Sequence, residues 1–118
     1  MEAIEEVATT FDVSSVGILG GEPFIRDDLG KIVDLFGDRS ITIYTNGILL
    51  NNHPERLITG DNIHYAVSLD GMEEFHDYYR GKGTWKKTMD VIEYLAGEKH
   101  KGSIKSVWIR MTISNDNK

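Results

Sequence analysis

Val16-Gly17-Ile18-Leu19-Gly20-Gly21-Glu22-Pro23 is a short apolar run that stops at two glycines, an acid and a proline, with an amphipathic stretch directly after it. That pattern predicts a buried strand entering a helix through a tight turn. Gly20 and Gly21 lack a Cβ, so the backbone there can take left-handed angles and a ligand can lie against bare peptide groups. Glu22 sets a carboxylate at the C-terminal end of the strand, the edge at which parallel sheets bind their ligands. A Gly-Gly turn alone is more often only a turn. The weight comes from the next two strands, which also end in polar turns.

Downstream, Ile25, Leu29, Ile32, Val33 and Phe36 recur at helical spacing, with Asp27 and Asp28 placed for the first turn and Gly37 for the stop. Ile41-Thr42-Ile43-Tyr44-Thr45 alternates and is β-branched, which predicts a strand ending at Asn46-Gly47. Asn-Gly also signals a hairpin, with Ile48-Leu49-Leu50 as its return strand. The following Asn51-Asn52-His53-Pro54-Glu55 lacks alternation and carries a proline, so a loop and a short helix through Arg56-Leu57-Ile58 fit better. Ile63 to Ser68 is the next strand, ending at Asp70-Gly71. In the long crossover after it, Thr84 is placed to cap a helix with the face Trp85, Thr88, Met89, Ile92, Leu95 and Ala96, and Gly97 and Gly102 bracket its exit. Trp85 and Met89 read as core, and Tyr78 and Tyr79 as packing residues. Val107, Ile109, Met111 and Ile113 alternate with Trp108, Arg110 and Thr112 as a last strand, and upstream Ile4, Val7, Ala8 and Phe11 predict an opening helix.

Strands separated by helical crossovers pair in parallel, so the expectation is an α/β fold: a parallel sheet of about four strands in a single domain over residues 1–118. The chain has 118 residues, 40% of them hydrophobic, and a formal charge of -6. No basic stripe is present, which argues against a nucleic-acid partner. No apolar run approaches the ~20 residues of a membrane span, and the acidic first residues differ from a signal peptide, so a cytoplasmic location without membrane contact is expected. Cysteine is absent, which excludes disulfides and thiolate metal sites within the chain.

The three turns, Gly20-Gly21-Glu22-Pro23, Thr45-Asn46-Gly47 and Ser68-Leu69-Asp70-Gly71, share one rim in such a sheet. Together they offer bare backbone, two carboxylates, hydroxyls and a carboxamide, a set suited to a small polar ligand with a cation and several hydroxyls. Phosphate is a poorer candidate, since no Walker pattern occurs and Gly81-Lys82-Gly83 lies in a crossover.

At these residues the chain resembles the radical S-adenosylmethionine (radical SAM) enzyme family. Gly20-Gly21-Glu22-Pro23 and the helix after it are similar to that family's glycine-glycine-glutamate-proline motif, and Thr45-Asn46-Gly47 and Ser68-Leu69-Asp70-Gly71 fall where its third and fourth strands end. The stretch from Ser68 to Trp85 resembles the branch that modifies peptides and matures sulfatases. The resemblance implies strands two to five of a partial (βα)6 TIM-type barrel, which in the family holds a [4Fe-4S] cluster and S-adenosylmethionine and generates a 5′-deoxyadenosyl radical. It implies that Gly20, Gly21 and Glu22 of the motif ending at Pro23 meet the methionyl ammonium, and that Thr45, Asn46 and Ser68 serve the ribose and carboxylate. Asp70 and Arg80 are further candidates, Arg80 pairing either with the methionyl carboxylate or with Asp77.

One departure is large: the family's cluster rests on a C-x-x-x-C-x-x-C loop, and this chain has no cysteine. The segment by itself is therefore expected to be inactive, with no metal ligand of its own. His53, His64, His76 and His100 show no metal-binding spacing. Arg110 either faces the barrel interior, where Glu22 or Asp70 is its partner, or is solvated outside it. Three readings follow. The first is the central part of a radical SAM oxidoreductase or peptide-modifying enzyme, with a peptide or protein as a candidate substrate. The second is a cluster-free nucleoside-binding module, and the third an interaction piece that forms a homo-oligomer through exposed sheet edges.

Overall fold

A computed structural model of the chain describes residues 14–19 and 22–111. The opening helix expected over Ile4 to Phe11, the pair Gly20 and Gly21, and the end of the last strand at Ile113 lie outside the described residues. Four strands, β1 (Ser15–Ile18), β2 (Ser40–Thr45), β3 (Gly60–Ser68) and β4 (Ile104–Arg110), form one sheet in the order β1-β2-β3-β4. Every neighbouring pair is parallel, as the crossovers require, and the sheet is consistent with an arc of the expected barrel.

The crossovers carry helices α1 (Leu29–Leu35), α2 (Ile48–Asn52), α3 (Glu73–Arg80) and α4 (Thr84–Lys101). The core lies between these helices and one face of the sheet: Ile41 and Ile43 of β2 and Ile63, Tyr65 and Val67 of β3 pack with Leu29, Ile32, Val33, Leu50, Val91 and Leu95. Strand alternation sends Thr42, Tyr44, His64 and Ala66 to the opposite face, where they line a wide cavity with Trp108 and Arg110. One face is thus an ordinary apolar core. The other is a bare surface of polar and aromatic groups.

Several local expectations need correction. The helix after Pro23 does not start at Ile25: Pro23–Ile25 is a 3-10 turn, Arg26 is extended, and α1 begins at Leu29 with Ile25 69% exposed. Asp28 does not cap α1 because both its oxygens accept from Arg26, at 2.7 and 2.8 Å. After Asn46-Gly47 there is no hairpin, as expected, but the helix follows at once as α2 and not later; Pro54–Arg56 is a 3-10 turn, and Leu57 and Ile58 are not helical. Thr84 is the first residue of α4 and not its cap. Asp77 of α3 takes that role, accepting from the Gly83 and Trp85 N–H groups at 3.0 and 2.8 Å. These bonds hold the Asp77 carboxyl below the usual aspartate range. The buried face of α4 is Thr88, Val91 and Leu95; Trp85 and Met89 are half-buried and Ala96 is exposed. Gly97 lies inside α4, and Gly102 alone ends it, with φ at +83°. On β4, Ile104 is the core residue while Ile109 and Met111 are exposed, because among the described residues no helix follows β4 to cover them.

Candidate functional site

The C-terminal ends of β2 and β3 and Glu22, just before the Pro23–Ile25 segment, meet at one rim. Glu22 is its hub. The carboxylate Oε1 accepts from the Thr45 hydroxyl and from the Asn46 N–H at 2.9 Å, and Oε2 accepts from the Phe24 N–H at 3.3 Å. Thr45 is buried, and its oxygen in turn accepts from the Gly47 N–H at 3.1 Å. Its hydroxyl therefore braces Glu22. Asn46 is fixed on three sides: its N–H on Glu22, its Oδ1 accepting from Ile48 N–H at 2.9 Å, and its carbonyl accepting from Thr88 at 3.3 Å. What remains for a ligand is the Nδ2 group of Asn46.

A hollow of about 120 Å³ lies on this rim, lined by Leu19, Tyr44, Thr45, Asn46, Ser68, Arg80 and Arg110. Among the described residues, the rim thus brings Thr45, Asn46, Ser68 and Arg80 to one place. Glu22 touches two of them, and Pro23 is buried at the start of its 3-10 turn. Asp70 acts through Arg80: its Oδ2 accepts from Arg80 Nε at 2.5 Å. This corrects the alternative in which Arg80 pairs with Asp77, whose carboxylate is already committed to the start of α4.

Two groups on the bare face extend the hollow. Tyr44 and Arg110 line both it and the wider cavity of about 490 Å³, and the Arg110 guanidinium sits 5.3 Å from the Tyr44 ring centroid. Arg110 thus faces the interior side, but it rests on an aromatic ring and not on Glu22 or Asp70. Tyr44 was missed in the sequence, where only Thr45 stood out; period-two alternation is the signal that puts the two on opposite faces. On the same face His64 Nδ1 lies 2.6 Å from Ser106 Oγ, which also accepts from Trp108 Nε1 at 2.7 Å. Among the described residues no carboxylate lines this cavity.

Comparison with known proteins fits this geometry. The profile of the Radical SAM superfamily matches residues 1–116. The chain belongs to the radical SAM superfamily. Among relatives, it is 36% identical over 78 residues to the GTP 3′,8-cyclase of Staphylococcus saprophyticus, covering 63% of this chain and 23% of that protein. It is 34% identical over 99 residues to the probable GTP 3′,8-cyclase of Methanocaldococcus jannaschii, covering 75% of this chain and 33% of that protein. Over 87 residues it is 36% identical to the mycofactocin maturase of Mycobacterium ulcerans, covering 69% and 23%. The chain therefore spans a quarter to a third of the length of the curated relatives it matches.

Members of the radical SAM family use S-adenosylmethionine and a [4Fe-4S] cluster. The residues present do not fit the cluster: the sequence has no cysteine, and among the described residues no three acidic or histidine side chains are grouped to hold a metal. The two guanidinium groups, Arg80 and Arg110, and the Ser68 hydroxyl and Asn46 carboxamide around the hollow do fit the carboxylate end of an amino-acid ligand. Among the described residues no helix is long and apolar enough to cross a membrane.

Proposed function

We propose that this chain is the central section of a radical SAM barrel, strands two to five, and that its rim holds the methionyl end of S-adenosylmethionine. The observation that carries this reading is the convergence of Asn46, Ser68 and Arg80, from two strand ends and the helix α3, on one hollow beside Glu22. Arg80 is the donor for the methionyl carboxylate, with Asp70 aiming it. Ser68 and the Asn46 carboxamide serve the ribose. Glu22 Oε2, which among the described residues holds only a long bond to Phe24, is the oxygen with capacity for the ammonium.

In the whole enzyme, cysteines supplied from elsewhere in a longer, cytoplasmic polypeptide would hold the cluster. Bound there, it would supply the electron that cleaves S-adenosylmethionine to the 5′-deoxyadenosyl radical. The wide cavity on the bare face is the substrate side, because it shares Tyr44 and Arg110 with the hollow. The Ser68 to Trp85 stretch favours a peptide or protein substrate. A nucleotide is the second reading, favoured by the cyclase relatives and by a cavity that, among the described residues, carries Arg110 and His64 without any acid.

Calorimetric titration of the chain with S-adenosylmethionine tests the assignment. Binding is expected, and Arg80→Gln should weaken it about tenfold or more, the ~1.5–3 kcal/mol of a hydrogen bond to a charged group. Absence of binding, or an Arg80→Gln variant that binds as the parent does, would remove the assignment.

A further inference from the structure

Among the described residues of α3, His76 is the one that the fold buries, at 1% exposure. A buried imidazole is costly unless its nitrogens are met. Nδ1 is met: it accepts from the Asp70 backbone N–H at 3.1 Å. An accepting Nδ1 carries no proton, so the ring is neutral and holds its proton on Nε2. Among the described residues Nε2 is buried without a partner, and the ring lines a second hollow of about 240 Å³ with Asn46, Ile48, Arg80, Thr84 and Thr88.

Arg80 lies one helical turn beyond His76 and grips the same residue. His76 holds the Asp70 backbone, and Arg80 Nε donates to the Asp70 carboxylate at 2.5 Å. Asp70 in turn stands two residues past Ser68, so one helix fixes the turn that carries both rim groups.

We propose that neutral His76 is the positioning residue of the rim: by accepting the Asp70 N–H through Nδ1 it sets Asp70, and through Asp70 it aims the Arg80 guanidinium at the ligand. The proposal rests on the reading of the rim as an S-adenosylmethionine site and adds to it a proton switch on a group that does not touch the ligand. Protonation of Nδ1 turns the acceptor into a donor facing another donor. Among the described residues the charged groups around the ring are Asp70 in the turn and Asp77 and Arg80 on α3, while α2 and α4 present Ile48, Thr84 and Thr88 to the hollow beside Asn46. Burial, and then Arg80, lower the His76 pKa below its ordinary 6.5, against the smaller opposing pull of the two carboxylates. The ring therefore stays neutral at pH 7, and the switch lies below about pH 6.5.

The test uses the full chain, S-adenosylmethionine and two variants. His76→Asn offers an amide oxygen near the place of Nδ1, whereas His76→Gln offers its polar group near Nε2 and leaves the Asp70 N–H unmet. In the parent chain, long-range proton–nitrogen spectra should show an Nε2–H ring at pH 7.5, and the Asp70 amide should shift as the ring titrates. Affinity measured by calorimetry should fall about tenfold as the ring titrates below pH 6.5. His76→Asn should bind within about threefold of the parent at pH 7.5 and lose the pH dependence, and His76→Gln should lose about tenfold or more. An Nδ1–H ring, an Asp70 amide indifferent to the titration, or equal losses in the two variants overturns the proposal. A parent chain that binds no S-adenosylmethionine, with ring and amide still titrating together, overturns the reading of the rim and leaves the clamp standing.

Discussion

Tyr65 shows how a single side chain can hold a loop to a sheet. Its ring is buried and stacks on Phe24, with centroids 6.3 Å apart and planes 8° from parallel. Its hydroxyl donates to the Ile58 carbonyl at 2.8 Å and accepts from the Ile58 N–H at 2.9 Å, which anchors the segment between α2 and β3. Burial raises its pKa far above that of an ordinary tyrosine, so it remains a phenol at any working pH. Tyr65→Phe keeps the ring and strips both bonds from Ile58. The expected loss is about 1–3 kcal/mol of unfolding free energy in urea, and an unchanged midpoint would mean that water serves Ile58 equally well. At this scale the sequence was partly legible. Glu22 and Ser68 were visible as rim groups because each closes an apolar run. The bond from Thr45 to Glu22, by contrast, joins residues 23 apart, and no local pattern carries it.

At the scale of elements, the start of α2 depends on Gly47. It sits at φ +83°, and a Cβ there would lie 2.8 Å from Val91 Cγ1 on α4. Gly83, at φ +84°, starts α4 with no heavy atom within 4 Å of the same position. Gly83→Ala should therefore cost only the left-handed penalty of ~1–2 kcal/mol, and Gly47→Ala clearly more, because α4 must also shift. Equal losses in chemical unfolding would show that Val91 yields freely. The strands were readable because β-branched alternation ended at polar turns three times. Helix α3 was not, and the reason is physical: in Glu73-Glu74-Phe75-His76-Asp77-Tyr78-Tyr79-Arg80 the aromatic stripe Phe75, Tyr78 and Tyr79 stays out of the core, with Tyr78 and Tyr79 exposed, and the buried member is a histidine. The cap of α4 was misread for a similar reason, since Asp77 belongs to the helix before it.

For the whole molecule, the division into an apolar face under helices and a bare face beside the rim is what makes the fold useful. Period-two alternation made both faces predictable on β2 and β3, but it failed on β4. There the apolar members of the alternation, Ile109 and Met111, are exposed, and the registers of β3 and β4 slip between Gly60 and His64. The charge of the chain is -6, yet among the described residues the cavity on the bare face is lined by an arginine, a histidine and no acid. Composition totals conceal such a local reversal, which is why the character of this cavity was not legible before the strands were paired.

The two outer strands have a consequence for assembly. Within the described sheet, β1 and β4 each pair on one side only, and all pairing is parallel. A second copy that continues the sheet in the same sense must set its β1 against this β4, since a two-fold pairing of β4 with β4 would run antiparallel. Such a contact is head-to-tail and leaves a fresh edge at each end, so it stops only when successive rotations close a ring and otherwise grows into a fibre. Light scattering on the isolated chain should then show mass rising with concentration in steps of 13.3 kDa past the dimer. A plateau at two copies would point to a different face, and a strand contributed by a longer polypeptide would act as the terminator of that growth.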